Sequence, residues 1–286
     1  MKTIAIIGHS GTNARPWTEA FLAAGWRVRS LVRDPERAMR PRSLTPVAFD
    51  LDAPGRYESA VAGVDVLALV TPAHPRQVAW EGVLIEAAEP RAVGGIVKLS
   101  VIGADLARPI SYFARNAAEA ETTLRASRVP HVILRASGFM QNLLRQRASI
   151  EAGSLVDPSG GAPASLVDVL DLADVAVAVA NGPFDGRALT VTGPAALTGD
   201  EMAAALSTVM KRPVRLVSPP LASFRAVLAE SGLPAWRVDA AVELQEAILD
   251  GRAPHLAEVS GDVPAATGRP ARAFAEFARR EFAPSS

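Results

Sequence analysis

The chain has no cysteine among its 286 residues. That excludes disulfides, thiolate nucleophiles and cysteine-ligated metals. It has no net charge either, because 30 lysines and arginines balance 30 aspartates and glutamates. With no long basic run, nothing in it attracts nucleic acid or an anionic membrane surface. No apolar run reaches the roughly 18 residues of a membrane-spanning helix. Met1 and Lys2 lead straight into a short apolar stretch that Gly8, His9 and Ser10 interrupt. No secretory leader is therefore expected, and the cytoplasm is the default compartment. No spacing of His, Asp and Glu suggests a metal site, and no internal repeat is evident. The length suits one large α/β domain, or such a domain with a smaller appendage.

What is present starts at residues 3–7, Thr-Ile-Ala-Ile-Ile, an apolar run that suits a strand buried on both faces. Gly8 lets the chain turn sharply, and Gly11 lets backbone approach a ligand closely. A helical pattern over 13–24 follows, with Phe21 and Leu22 on its apolar stripe and Gly25 ending it. Free N–H groups and the helix dipole then point at one place, which makes a site for a phosphate. The spacing is Gly8-x-x-Gly11-x-x-Ala14, a turn common enough to need its context. That context is a long alternation. Strands are predicted at 27–32, 46–51, 64–70, 95–100 and 131–135, and helices at 57–61, 76–88, 116–127 and from about 142 to 152. Such alternation predicts a doubly wound parallel sheet with helices on both faces.

The pattern then loosens. Residues 153–163 read as a Gly- and Pro-bearing loop reaching a second domain. A short strand is predicted at 165–170, a helix at 173–180 and a strand at 187–192. Thr198 and Glu201 form a capping box for a helix to about 210. A short strand at 214–217 and helices at 221–231, 235–250 and 271–282 complete the chain. The division expected is 1–192 for the nucleotide-binding domain and 193–286 for a smaller, mainly helical substrate-side domain.

Several residues are candidates on chemistry alone. Arg33 lies about 20 residues past the glycine turn, where nucleotide-binding sheets meet the adenosine ribose. A guanidinium there would pair with a 2′-phosphate and favour NADP(H) over NAD(H). Asp34 beside it complicates that reading, and a solvated loop charge is the alternative. Asp50 and Leu51 either border an adenine or simply end a strand. His74 follows the fourth strand, where ligands bind in such sheets, or is merely solvated. His9 either touches phosphate or does not. Tyr112 is either a proton donor or a pocket wall. Trp236 and Phe224 either cover a flat aromatic substrate or belong to the core. His131 reads as structural and His255 as a surface residue. Glu119, Glu121 and Asp171 read as capping or ion-pair residues.

Ordered motifs carry a resemblance. Gly8-x-x-Gly11-x-x-Ala14, Leu31-Val-Arg-Asp-Pro35, Leu99-Ser-x-x-Gly-Ala104, Glu121-x-x-Leu124, Ile133-Leu-Arg135, Phe139-Met-x-Asn142, Val167-Asp-Val-x-Asp-Leu-Ala173 and Thr267-Gly-Arg-Pro270 occur in this order. Together they resemble the NmrA-like branch of atypical short-chain dehydrogenases over nearly the whole chain. The resemblance implies a Rossmann domain binding NADP(H) and a small C-terminal domain closing over the nicotinamide. It implies that Gly8, Ser10, Gly11, Thr12 and Asn13 hold the pyrophosphate, with Arg33 at the 2′-phosphate and Asp50 and Leu51 at the adenine. Thr71 and Pro72 would meet the nicotinamide ribose, and Ser100, Ser137 and Phe139 would line the substrate end. Many relatives carry Lys or His four residues before the glutamate that is Glu121 here, whereas this chain has Ala117. The Tyr-x-x-x-Lys pair of ordinary short-chain dehydrogenases is absent, since Asn116 follows Tyr112 by four.

The expected function is an NADP(H)-dependent oxidoreductase passing hydride to a flat, conjugated small molecule such as a quinone, enone or iminium. It acts as a monomer or homodimer, without nucleic acid or membrane. The alternative is an NADP-binding redox sensor without turnover, which Ala117 keeps open.

Overall fold

The computed structural model describes residues 1–8, 11–37, 43–53, 57–91 and 93–284. The first half alternates as the apolar pattern dictates: β1 (Thr3–Ile7), α1 (Ala14–Ala23), β2 (Arg27–Val32), β3 (Leu44–Ala48), α2 (Tyr57–Val61), β4 (Val66–Leu69), α3 (Gln77–Ala88), β5 (Gly95–Val101), α4 (Tyr112–Ala126) and β6 (His131–Ala136). The second half adds α5 (Arg147–Glu151), β7 (Ser154–Val156), α6 (Val169–Asn181), β8 (Ala188–Val191), α7 (Gly199–Met210) and β9 (Arg215–Val217). Four more helices follow, α8 (Leu221–Glu230), α9 (Ala235–Leu249), α10 (Asp262–Thr267) and α11 (Phe274–Phe282).

Seven strands form one parallel sheet in the order β3-β2-β1-β4-β5-β6-β8. The chain runs outward from β1 through β2 and β3, then returns to β4 on the other side of β1. A crevice opens at that reversal, at the C-terminal strand ends. Side chains alternate across the sheet. Ile4 and Ile6 enter a core with Trp17 and Phe21 of α1 and Val175 and Val179 of α6. Ala5 and Ile7 enter a second core with Leu84 and Ile85 of α3 and Leu124 of α4. Burying each such isoleucine contributes about 2–3 kcal/mol, so a register slip of one residue in β1 is strongly disfavoured. A third core joins Met140, Leu143, Ile150 and Leu155 to Met202 and Leu206 of α7 and Phe274 and Phe277 of α11.

The structure departs from the sequence expectations where polar caps override apolar pattern. No strand covers 165–170. Instead Asp168 caps α6 by accepting from the Leu170 N–H at 3.0 Å, so the helix starts at Val169. Only a single bridge joins Phe139 to Val167. Ser111 caps α4 through the Ala114 N–H, which starts that helix at Tyr112 rather than at 116. Residues 140–146 form a 3-10 helix rather than α-helix. The segment 153–163 contains β7, which pairs in parallel with β9 in a separate two-stranded sheet. No helix among the described residues is long and apolar enough to cross a membrane.

Candidate functional site

The glycine turn closes the end of β1. Gly8 has a φ of 75°, a conformation that favours glycine. Its N–H donates to the Leu31 carbonyl at 2.7 Å, and its own carbonyl accepts from Ser30 Oγ at 3.1 Å. The turn is thereby pinned to β2. Beyond it, the N–H groups of Gly11, Thr12 and Asn13 have no hydrogen-bond partner among the described residues. The first turn of α1 carries no acidic residue and no side-chain cap, which leaves the positive helix end open to an anion. Asn13 Oδ1 is buried and unpartnered among the described residues. That amide end can accept from a ribose hydroxyl or, turned over, donate to a phosphate oxygen. Ala14 sits 3.9 Å from where a Cβ of Gly8 or Gly11 would lie, so its methyl fills the space against the turn. This cradle fits a dinucleotide. His9 and Ser10, expected at the phosphate, lie outside the described residues.

Arg33 follows β2 and is exposed. Asp34 turns away from it, pairing with Arg37 at 3.5 Å and accepting the Glu36 N–H. The complication visible in the sequence thus resolves locally, and the Arg33 guanidinium has no carboxylate partner among the described residues. Past β3, Asp50 accepts the Asp52 N–H at 2.9 Å, and Tyr57 donates to the Leu51 carbonyl. Asp52 in turn receives Trp80 Nε1 at 2.9 Å and Arg76 at 2.6 Å. Asp52, Arg76 and Trp80 were invisible in the sequence as a unit. They lock the β3 loop to the start of α3.

Thr71 follows β4 and is 9% exposed. Its hydroxyl donates to Glu81 Oε1. Glu81 also receives Lys98 Nζ at 2.6 Å, and both of those side chains are fully buried. Ser100, two residues further along β5, donates to Glu121 Oε1 at 2.6 Å. Arg135 of β6 grips both Glu121 oxygens, at 3.0 and 2.6 Å, and reaches Asp105 at 2.6 Å. Burial opposes the charge on Glu121. The hydrogen bonds from Arg135 and Ser100, with the charges of Arg135 and Lys98, outweigh it and hold the carboxyl below its ordinary 4.5. Ser137 after β6 is buried too, and its hydroxyl donates to the Ser165 carbonyl at 2.5 Å. Both serines expected at the substrate end therefore commit their protons inward.

Four aromatic residues form one rim. His74 stacks on Trp80 with centroids 4.4 Å apart and meets Trp236 edge-on at 6.2 Å. Trp236 lies 5.6 Å from Tyr112. So His74, Tyr112 and Trp236 come together from a loop, from α4 and from α9. Glu243 of α9 holds the last two in place by accepting the Tyr112 N–H at 2.8 Å and pairing with Arg115 at 2.8 Å. His74 Nδ1 accepts the Arg76 N–H at 3.1 Å, which fixes the orientation of the ring. The Tyr112 hydroxyl makes no hydrogen bond among the described residues. Phe139 is half-buried against the first core, and Phe224 is half-buried in α8, which has no buried residue. Ala117 is buried in α4.

The C-terminal segment is stitched to the sheet by the later motifs. Asp168, fully buried, receives Gln141 and Arg280 at 2.8 Å each. Asp171 receives the Arg272 side chain and its N–H, and Arg269 pairs with Asp174 at 2.8 Å. His255 is buried rather than on the surface as its position suggested. Its ring lies on Gly103, whose added Cβ would come within 2.6 Å of Nε2. Burial lowers its pKa below the ordinary 6.5, while Glu258 and Asp105 pull the other way. Among the described residues no cluster of His, Asp and Glu is arranged to hold a metal.

The sheet order, the glycine turn at its reversal and the strand-end side chains define a dinucleotide-binding α/β protein of the doubly wound type. The model of the NmrA-like family matches residues 1–247, and the chain belongs to that family. It is 36% identical over 282 residues to an NAD(P)H azoreductase of Xenophilus azovorans, covering 96% of each chain. It is 32% identical over 283 residues to the (4-alkanoyl-5-oxo-2,5-dihydrofuran-3-yl)methyl phosphate reductase of Streptomyces griseus, again covering 96% of each. The fold matches that of the NADPH-dependent quinone oxidoreductase QOR2 of Escherichia coli, complexed with NADPH. The TM-score is 0.84 at 23% identity, over 98% of this chain and 99% of the other.

Proposed function

We propose that this protein is an NADP(H)-dependent reductase that passes hydride to flat, conjugated small molecules: quinones, azo compounds, enones and iminium ions. The observation that carries this reading is the rim of His74, Tyr112 and Trp236 beside the end of β4. Stacked rings suit a planar acceptor, and β4 borders the crevice where the nicotinamide half of a dinucleotide belongs. Both full-length relatives are named as reductases. The pyrophosphate is held by Gly8, Gly11, Thr12 and Asn13, and the sequence adds Ser10 and His9 to that assignment. Arg33 meets the 2′-phosphate, Asp50 and Leu51 flank adenine, and Thr71 and Pro72 meet the nicotinamide ribose. Ser100 and Ser137 brace the floor, and Phe139 closes the substrate end. Residues 193–286 act as the smaller domain whose Trp236 covers the acceptor.

Bound in this cleft, the nicotinamide supplies the hydride, and the protein has only to bind, orient and protonate. With alanine at position 117, proton donation falls to the Tyr112 hydroxyl, which has no hydrogen-bond partner among the described residues. Tyr112→Phe is expected to lower kcat about 100-fold or more for enones, which need that proton. Iminium acceptors become neutral on taking hydride, and their rates should barely change. Trp236→Ala is expected to raise KM for planar acceptors roughly tenfold through lost ring contact, while the NADPH dissociation constant stays put. Steady-state kinetics paired with calorimetric NADPH titration separates the two effects. An unchanged KM in Trp236→Ala would remove the rim from the substrate site.

A further inference from the structure

Lys98 is the one charged residue in β5, Gly-Ile-Val-Lys-Leu-Ser-Val. It faces the α3 and α4 side of the sheet, as Ile96 and Ser100 do by strand alternation. Its side chain and that of Glu81 are both 0% exposed. Lys98 Nζ donates to Glu81 Oε2 at 2.6 Å and to the Leu99 carbonyl at 3.2 Å. The other carboxylate oxygen, Oε1, accepts from Gln77 Nε2 at 3.1 Å and from the Thr71 hydroxyl. Neither charge reaches the cleft, so neither touches a ligand.

A buried ion pair of this kind adds little net stability over a well-packed apolar pair, because desolvation offsets the attraction. What the pair does provide is a fixed acceptor for the proton of Thr71. With that proton committed, Thr71 Oγ1 presents only lone pairs to anything else. Pro72 follows with no N–H of its own, so this strand end offers a locally acceptor-rich edge. The ribose hydroxyls and carboxamide N–H groups of a nicotinamide nucleotide are donors, and they match such an edge.

We propose that the buried Lys98–Glu81 pair is a positioning device that fixes the Thr71 hydroxyl as an acceptor for the nicotinamide-ribose half of the cofactor. The inference rests on the assignment of Thr71 to that half of the site.

Two ligands test it, NADPH and adenosine 2′,5′-bisphosphate, which has the adenosine half alone. The variant Lys98→Met with Glu81→Leu replaces the pair by apolar side chains. It is expected to bind NADPH roughly tenfold more weakly, about the worth of one hydrogen bond, and to bind the bisphosphate as the wild type does. Lys98→Met with Glu81→Gln returns an oxygen to Thr71 and should recover NADPH affinity to within about twofold. If the leucine variant does not fold, the volume-swapped Lys98→Leu with Glu81→Met carries the same test. Equal weakening of both ligands, or unchanged NADPH binding, would overturn the inference. Thr71→Val separates the two layers of the argument. If it leaves NADPH binding intact, the assignment of Thr71 itself is wrong. If it weakens NADPH while the pair variant does not, only the positioning role is lost.

Discussion

Glu121→Ala is expected to destabilise the protein by about 3–5 kcal/mol, because it removes the buried partner of a mostly buried cation and leaves it only the exposed Asp105. Arg135 is only 13% exposed along its side chain and directs two bonds at this carboxylate. Ser100 would lose the acceptor for its buried hydroxyl as well. The melting midpoint should fall by roughly 10 °C, and because Arg135 sits at the end of β6, NADPH binding should weaken with it. The effect carries a pH signature. The folded-state pKa of Glu121 lies below its ordinary 4.5. The stability it contributes is therefore present above that value and is lost as pH falls through the folded-state pKa. The gap between wild type and variant should close in that acid window. A gap that stays constant down to strong acid would mean that the carboxylate's charge is not what stabilises the fold.

Arg33→Ala is expected to weaken NADPH binding by about 1–3 kcal/mol, or roughly 5- to 150-fold, since the proposed assignment gives Arg33 a charge-assisted bidentate contact to the 2′-phosphate that the variant would lack. NADH lacks that phosphate and should bind as before. The geometry sharpens this expectation over the sequence alone. Asp34 pairs with Arg37 and leaves Arg33 unopposed. Paired titrations of both cofactors read the result. An equal loss for NADPH and NADH would assign Arg33 a role in shaping the loop instead.

The strand ends were legible in the sequence because local chemistry writes them. Gly8 must turn, Arg33 follows an apolar strand, and Thr71-Pro72 stops another. Ser100 and Ser137 occupy the ends of the next two. Which way their hydroxyls point was not legible, since Glu121 and the Ser165 carbonyl lie on other elements. Lys98 was a visible anomaly in an apolar strand, yet its partner Glu81 comes from a neighbouring helix that only the fold brings near. The strand expected at 165–170 failed because its β-branched residues matched the pattern while Asp168 capped a helix start. His255 looked like a surface residue because Gly103, whose missing side chain makes room for it, is remote in sequence. Three of the four rim residues, His74, Tyr112 and Trp236, were foreseen as separate candidates, whereas Trp80, on which His74 stacks, was not. Their assembly depends on α9 docking to α4 through Glu243 and Arg115, a contact that no local pattern encodes.

The measurement closest to the central claim is turnover of NADPH and of NADH against a panel of quinones, azo compounds, enones and iminium dyes, with both cofactor affinities determined alongside. The account predicts tighter binding of NADPH than of NADH, and reduction of at least one planar acceptor at NADPH's expense. Tight NADPH binding with no acceptor reduced would contradict it and make the protein a sensor of the cofactor rather than a reductase.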